Sequence, residues 1–357
     1  MPLPPRSRLV AAGIAGLLAA AAGFVLALCS PVAYRDPRPV SFYVESGESL
    51  GPIARDLEVL GLVRNARAFQ VLATLRGDDG RIQAGPYRAS TGDWAWDILG
   101  RLVRGDTEDT TITVIEGLWL TEVADVLAPF VMGGRDSFLA VARDSVWVRS
   151  LGVPAPSLEG FLFPSTYRVA KIGPARRVIR AMFEEFQRVW SGDLPSRADS
   201  LGMTMLQVVT LASIVEAEAA RAEERPRIAA VYENRLTAGR PLQADPTVVY
   251  GLGERRSRLL LDDLESESPY NTYRVPGLPP GPIGNPGLQA IRAVLWPTED
   301  CRDFYFVARG DGSHLFGRTF AEHQENRRRV DRARRAAAPP PTTRPETSRI
   351  TPPETDP

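Results

Sequence analysis

The chain has only two cysteines and two histidines in 357 residues. Cys29 and Cys301 are too few for a disulfide framework, and Cys29 ends an apolar run far from Cys301, which argues against pairing them. His314 and His323 both come late, so a histidine-rich zinc site and a Ser-His-Asp site are both poorly supplied. An excess of one charge is missing too, because 43 basic residues, nearly all Arg, balance 43 acidic ones. A nucleic-acid-binding domain normally carries a basic excess, so no nucleic acid is expected as a partner. What is present is globular in kind, with 44% hydrophobic and 24% charged residues. The length suits two domains at about 100–200 residues each.

Leu9 to Leu28 is uncharged and rich in Ala and Leu. About 20 such residues span a bilayer core. Arg6 and Arg8 precede the run, which should keep residues 1–8 as a cytoplasmic stub and the bulk of the chain outside. The expectation is a single transmembrane anchor over 9–29 in the inner (plasma) membrane. A cleaved signal peptide is the rival, but the run is longer than the usual apolar region and no clean small-x-small site follows.

A mixed α+β chain is expected beyond the anchor. Ser41–Leu57 (SFYVESGESLGPIARDL) echoes Thr111–Leu127 (TITVIEGLWLTEVADVL) at a constant offset. Val44, Gly47, Leu50, Ile53, Ala54 and Leu57 align with Val114, Gly117, Leu120, Val123, Ala124 and Leu127. Each copy reads as a strand, a Gly turn and an amphipathic helix. Ala66–Arg76 and Asp93–Val103 look helical, and Ile82–Ala89 looks like a strand or hairpin arm. This first unit, 40–108, with its Gly-Glu-Ser-Leu turn, resembles a small LysM-like α/β carbohydrate-binding module.

A second region is expected over 109–335. Helices are read at Arg177–Trp190 and from about Met205 to Ala222, with Pro226 opening another through Leu236. Phe304–Val307 and Leu315–Phe316 suit a hairpin around Gly310-Asp311-Gly312. Thr319 and Glu322 suit a capping box for a last, basic helix. The remaining 336–357, rich in Pro, Thr and Arg, is expected to be disordered.

The chemistry concentrates in Leu211–Gly253. Glu218 falls ten, seven and four positions after Val208, Leu211 and Ile214, on one stripe of a helix. Glu216 points about 200° away, at roughly 100° per residue. A carboxyl group facing an apolar surface has its pKa raised, which a general acid needs near neutral pH. A solvated row of glutamates is the plainer alternative. Asn234, Gln243, Asp245, Thr247, Tyr250, Asn271 and Tyr273 then supply amides, hydroxyls and aromatic faces suited to holding sugar rings. Each also has a structural explanation: Asp245 before Pro246 makes a good helix N-cap, Asn285-Pro286 repeats the device, and the tyrosines could be core. Gly277–Gly287 (GLPPGPIGNPG) could form a wall of a cleft.

The stretch ASIVEAEA, ER, AAVYENRL, LQADPTVVYG, SPYNTY and GLPPGPI closely resembles the endolytic murein transglycosylase family, also termed YceG-like. Upstream EGFLFPSTY and late HLFGRTFAEH are similar to that family as well, so the likeness runs from Ser41 to about Asn326. The resemblance implies that Glu218, the second glutamate of the I-[IV]-E-x-E stretch, is catalytic. It also implies that Gln243, Asp245, Asn271 and Tyr273 line the cleft. The family usually has Asp where this chain has Ser165, which removes any carboxylate role there. The implied reaction cleaves the β-1,4 bond between N-acetylmuramic acid and N-acetylglucosamine in peptidoglycan strands, leaving a 1,6-anhydro end. No metal or cofactor is called for. The implied partners are glycan strands and peptidoglycan synthases at the membrane. A glycan-binding scaffold without activity and a hydrolytic muramidase using Asp245 or Glu216 are the rival readings. His314 is open between substrate contact and capping the hairpin.

Overall fold

The computed structural model describes residues 23–337 except 25, 108, 171 and 257. The expected cytoplasmic stub, most of the expected 9–29 anchor and the tail beyond Ala337 lie outside the described residues. Among the described residues no single helix is long and apolar enough to cross a membrane. Cys29 belongs to the packing of the first unit, at 2% exposure, and both cysteines are free.

The chain is mixed α+β. Strand β1 (Pro39–Val44), helices α1 (Leu50–Val59) and α2 (Ala66–Arg76), strand β2 (Gly85–Ser90) and helix α3 (Ala95–Arg104) form the first unit. β1 and β2 pair antiparallel, Val44 opposite Gly85 and Pro39 opposite Ser90. α2 has the limits expected because Asn65 accepts from the Ala68 N–H at 3.0 Å, and Gly77 ends it at φ 68°. α3 starts two residues later than expected. The Asp93 carboxylate instead accepts from the Ser90 N–H at 2.8 Å and ties down the preceding turn. Ile53, Leu57, Phe69, Tyr87 and Leu99 pack into a core that belongs to this unit.

The echo in sequence is an echo in space. β3 (Asp109–Val114) leads through Gly117 into α4 (Leu120–Leu127), as β1 leads through Gly47 into α1, and the two glycines share a left-handed φ of 76° and 80°. Helices α5 (Gly134–Ala142) and α6 (Ser145–Ser150) follow, and β4 (Ser165–Ala170) closes antiparallel on β3. Unlike the first copy, this one shares its core with the rest of the chain: Leu120 and Phe138 pack in one cluster with Phe161, Val209 and Ile291.

Helices α7 (Ala175–Val189) and α8 (Asp193–Ser200) lead to α9 (Met205–Glu218), the helix around which the second region is built. Thr204 and Gln207 cap its start reciprocally, at 2.8 and 3.2 Å. α10 (Arg225–Thr237), α11 (Asp245–Leu252) and α12 (Leu288–Leu295) pack against it. Every residue from Val208 to Val215 is buried, so α9 carries no single apolar stripe; it is enclosed on all sides. It also ends four residues sooner than expected. Ala219 turns extended (φ −84°, ψ 102°), and a 3-10 turn over Ala222–Glu224 brings Arg225 back to within 2.6 Å of the Glu216 carboxylate.

A hairpin of β5 (Tyr305–Ala308) and β6 (His314–Gly317) and the helix α13 (Phe320–Ala337) complete the fold. α13 runs past the expected limit to Ala337. Its cap is displaced by one residue: Thr319 accepts from the Glu322 N–H at 3.2 Å, but Glu322 accepts from Arg318 N–H at 2.7 Å. The Gly277–Gly287 loop lies behind α9 and does not wall the groove described below. The Ile283 N–H donates to Ser213 Oγ at 2.9 Å. Asn285 is a cross-tie rather than a helix cap, because its amide donates to Leu118 O at 2.9 Å and accepts from the Leu162 N–H at 3.0 Å.

Candidate active site

Where α9 stops, a groove begins. It encloses about 990 Å³ between the ends of α9, α10 and α11, the β5–β6 hairpin, the face of α13 and the stretch from Arg258 to Leu264. Glu218, the last residue of α9, lies on its lining. The premature end of the helix is what frees that side chain from the buried packing around Ile214 and Val215.

Tyr232 on α10 is 1% exposed and donates its hydroxyl to Glu218 Oε1 at 2.8 Å. Among the described residues no hydrogen-bond donor meets Oε2, which is left for exchange with a ligand. Burial pushes the Glu218 carboxyl up to about 7 and the Asp245 charge adds to it, while the Tyr232 hydroxyl pulls the other way by stabilising the anion. Neutral and ionised forms therefore coexist near pH 7. Glu216 behaves differently, with one oxygen on Arg225 at 2.6 Å and the other on the Gly287 N–H at 3.0 Å, outside the groove. It anchors the end of α9 to its neighbours and is neither a solvated glutamate nor placed to activate water in the groove.

Tyr232→Phe removes the one hydroxyl that favours the Glu218 anion. The alkaline limb of the pH–rate profile should move upward, and the rate at neutral pH should fall about tenfold through lost orientation. A pH–kcat profile checks it, and an unmoved limb would mean that Tyr232 only packs.

The polar residues expected to hold sugar divide into two sets. Gln243, Asp245 and Tyr273 line the groove with Glu218. The Tyr273 hydroxyl donates to Asp245 Oδ1 at 2.6 Å. Asp245 is the first residue of α11 and Ala244 is its N-cap, so the carboxylate serves that bond and not the helix end. Gln243 sits at φ 51°, a strained conformation for a residue with a side chain. The structure puts the other four elsewhere. Thr247 is buried, bonded to Ala244 O at 2.7 Å and Thr272 Oγ1 at 2.8 Å. Asn271 is buried and gives its amide to Leu264 O and Ser266 O at 2.9 and 2.8 Å, holding the loop that carries Tyr273. Asn234 ties α10 to Cys301 O and Asp303 O, both at 2.9 Å, and so seats the hairpin.

Tyr250 reaches a second buried carboxyl, Glu159 of the EGFLFP segment, at 3.0 Å. Glu159 also accepts from the Leu120 N–H at 2.9 and 3.1 Å and thereby caps α4. Burial pushes it up to about 7 as well, against the opposing bonds from Tyr250 and Leu120. It does not line the groove, so a raised carboxyl alone does not mark the reacting position. His314 does line it, but its ring nitrogen Nδ1 is engaged with Glu224 at 2.6 Å and its ring lies edge-on to Phe306. Ser165 opens β4 opposite Val114.

Tyr232, Arg235, Tyr305, Phe306 and His323 also line the groove and were not singled out from the sequence. Tyr232 and Arg235 stand in the AAVYENRL segment, so the motif marked their neighbourhood. Nothing local to them announces that they would face Glu218.

Residues 42–329 match the YceG-like family. A Bacillus subtilis (strain 168) protein named endolytic murein transglycosylase is 33% identical over 315 residues, covering 84% of this chain and 86% of that protein. One of the same name from Streptococcus pneumoniae serotype 2 is 27% identical over 335 residues, and the alignment covers 85% of this chain and 60% of that longer protein. The crystal structure of a yceG-like protein from Listeria monocytogenes superposes with a TM-score of 0.56 at 29% identity, over 81% of this chain and 99% of that one.

Proposed function

The chain belongs to the YceG-like family, and from that membership we propose that Glu218 is the single proton shuttle of an endolytic murein transglycosylase. The observation that carries the assignment is the Glu218 carboxyl in the groove lining, pushed up to about 7 and fixed through Oε1 by Tyr232.

The reaction needs one acid and one base in sequence. Protonated Glu218 gives its hydrogen to the glycosidic oxygen as the bond to the muramic C1 breaks, and the N-acetylglucosamine side leaves as an alcohol. Glu218, now a carboxylate, accepts the proton of the muramic 6-hydroxyl as that oxygen attacks C1 and closes the 1,6-anhydro ring. The nucleophile is held in the same molecule, which supplies the advantage of an intramolecular reaction. A hydrolase would instead need a second carboxylate to activate water or to attack C1. Glu216 is occupied by Arg225 and Gly287, which leaves Asp245 and Asp262 as the groove carboxylates for such a role.

Product ends separate the two chemistries. Uncross-linked peptidoglycan strands digested by the protein should yield 1,6-anhydro ends by mass spectrometry. Reducing ends from every cut would overturn the transglycosylase step. The pH dependence has a definite sign. Only the protonated carboxyl starts the reaction, so kcat/KM should be level below about pH 6 and fall roughly tenfold per unit above about 7. A rate that rises through that range would mean that Glu218 enters as the base.

The uncharged run Leu9–Leu28 behind Arg6 and Arg8 supports anchoring in the plasma membrane with the groove on the outer side, where strands are synthesised. Working there beside peptidoglycan synthases belongs to the same reading. The first unit, with its own core, suits a spacer or a strand guide between membrane and groove.

A further inference from the structure

One wall of the groove has a chemistry that proton transfer does not use. Arg235 lies half-buried on α10. Its Nε donates to Pro241 O at 2.9 Å, its terminal nitrogen to Gln243 Oε1, and its guanidinium lies 5.5 Å from the Tyr305 ring centre. All of those partners are neutral. His323 on α13 stacks on the same Tyr305 ring at 5.0 Å, and its Nδ1 is buried with no hydrogen-bond partner. Exposed Arg327, one turn further along α13, completes the wall.

Among the described residues no carboxylate pairs with Arg235 or Arg327. The acidic side chains of the lining are Glu218, Asp245 and Asp262, and none of them figures in the surroundings of His323. Burial, then the charges of Arg327 and Arg235, hold the His323 imidazole below its ordinary range. A cation kept partly out of water without a counter-charge is costly, and so is a buried nitrogen without a partner. One anionic group placed in the groove beside them would supply the missing counter-charge. Gln243, strained at φ 51° and bonded to Arg235, aims the guanidinium rather than neutralising it.

We propose that Arg235, His323 and Arg327 form a subsite for a carboxylate carried on the muramyl residues of the strand. The proposal rests on the transglycosylase reading and adds a substrate requirement to it. That carboxylate has two sources, the acidic groups of a stem peptide or the lactyl carboxylate left bare when the peptide is absent. Either would lie flat against a guanidinium, with its charge beside the His323 ring. The subsite selects the substrate, while Glu218 does the chemistry.

The test measures binding with the full-length Glu218→Gln chain in detergent micelles, so that strands are not consumed. Three uncross-linked strands are compared: one carrying stem peptides, one stripped to bare lactyl carboxylates, and one stripped with those carboxylates capped as methylamides. At least one carboxylate-bearing strand should bind about tenfold more tightly than the capped strand, and the strand preferred names the source. Adding Arg327→Gln, an exposed change that leaves packing intact, and Arg235→Gln should bring that ratio to within about twofold. Arg235→Lys should restore part of it. The His323 ring, followed by NMR, should titrate at higher pH with the preferred strand bound. Equal affinity for all three strands, or a preference that survives both arginine changes, overturns the subsite. Wild-type protein that makes no anhydro ends from any strand would instead overturn the transglycosylase reading, which this binding comparison does not depend on.

Discussion

Glu218→Gln should cut the formation of anhydro-muramyl ends by about a thousandfold. The amide has the shape of the carboxyl and still accepts from Tyr232, so the groove keeps its form, but it can neither release a proton to the glycosidic oxygen nor take one from the 6-hydroxyl. Both halves of the reaction fail together, which is why the loss should sit in kcat rather than KM. A companion effect on stability has the opposite sign. The folded carboxyl titrates at about 7, above the ordinary value of 4.5 for an unburied glutamate. Its contribution to stability is therefore fully present below the unfolded value and is lost as pH rises through the folded one. The amide carries no such penalty, so the variant should melt above wild type at about pH 8 and not at about pH 4. Mass-spectrometric product counts and melting curves at the two pH values check both. A loss in rate smaller than about tenfold would move the acid elsewhere.

Gly160→Ala should cost about 4 kcal/mol of folding stability, although the residue touches no groove atom. Gly160 has φ +84°, a conformation that side chains disfavour, and an added Cβ would lie 2.4 Å from Pro282 Cβ and 3.0 Å from Val209 Cγ1. Neither neighbour can retreat. Pro282 is a rigid ring beside Ile283, whose N–H is bonded to Ser213, and Val209 is enclosed within α9. The EGFLFP turn, the GPIG loop and α9 meet at that contact. Gly152→Ala is the control, with nearly the same φ (+81°) but nothing within 4 Å of the added atom, so it meets only the backbone term. That term is about 1–2 kcal/mol. Denaturant midpoints of the two variants give the difference directly, and equal midpoints would show that the Pro282 contact gives way.

Several elements were legible because their causes are local. α2 is bounded by its own Asn65 and Gly77, the late hairpin by Gly310 and Gly312, and the repeated strand–Gly–helix unit by glycines with the same φ. α9 was legible as a helix but not in its length, because it stops where Arg225, nine residues after Glu216, closes an ion pair. The apolar spacing around Glu218 also means something different in the fold. An apolar stripe implies that one side of the helix faces a core, yet α9 is enclosed all round. Glu218 reaches the groove because it is the last turn's final residue, not because of the stripe it shares with Ile214.

The polar set shows the same limit from the other side. An amide or hydroxyl has the same composition whether it holds a sugar or a backbone carbonyl. Asn271 and Thr247 hold backbone, while Gln243 and Tyr273 face the groove.

From its order of residues alone this chain settled its α+β character, its two-part layout of polar motif after repeated unit, and the family to which its dense 211–287 segment belongs. Those depend on contacts a few residues apart, or on a motif long enough to be unmistakable. Only the tertiary structure decided that Glu218 reaches the groove as the last residue of α9, that Tyr232 fixes it, and that Arg235, Tyr305 and His323, 88 residues apart along the chain at the extremes, form one wall. Burial and the identity of a partner set the charge state of a carboxyl. Both are properties of segments that meet only after folding.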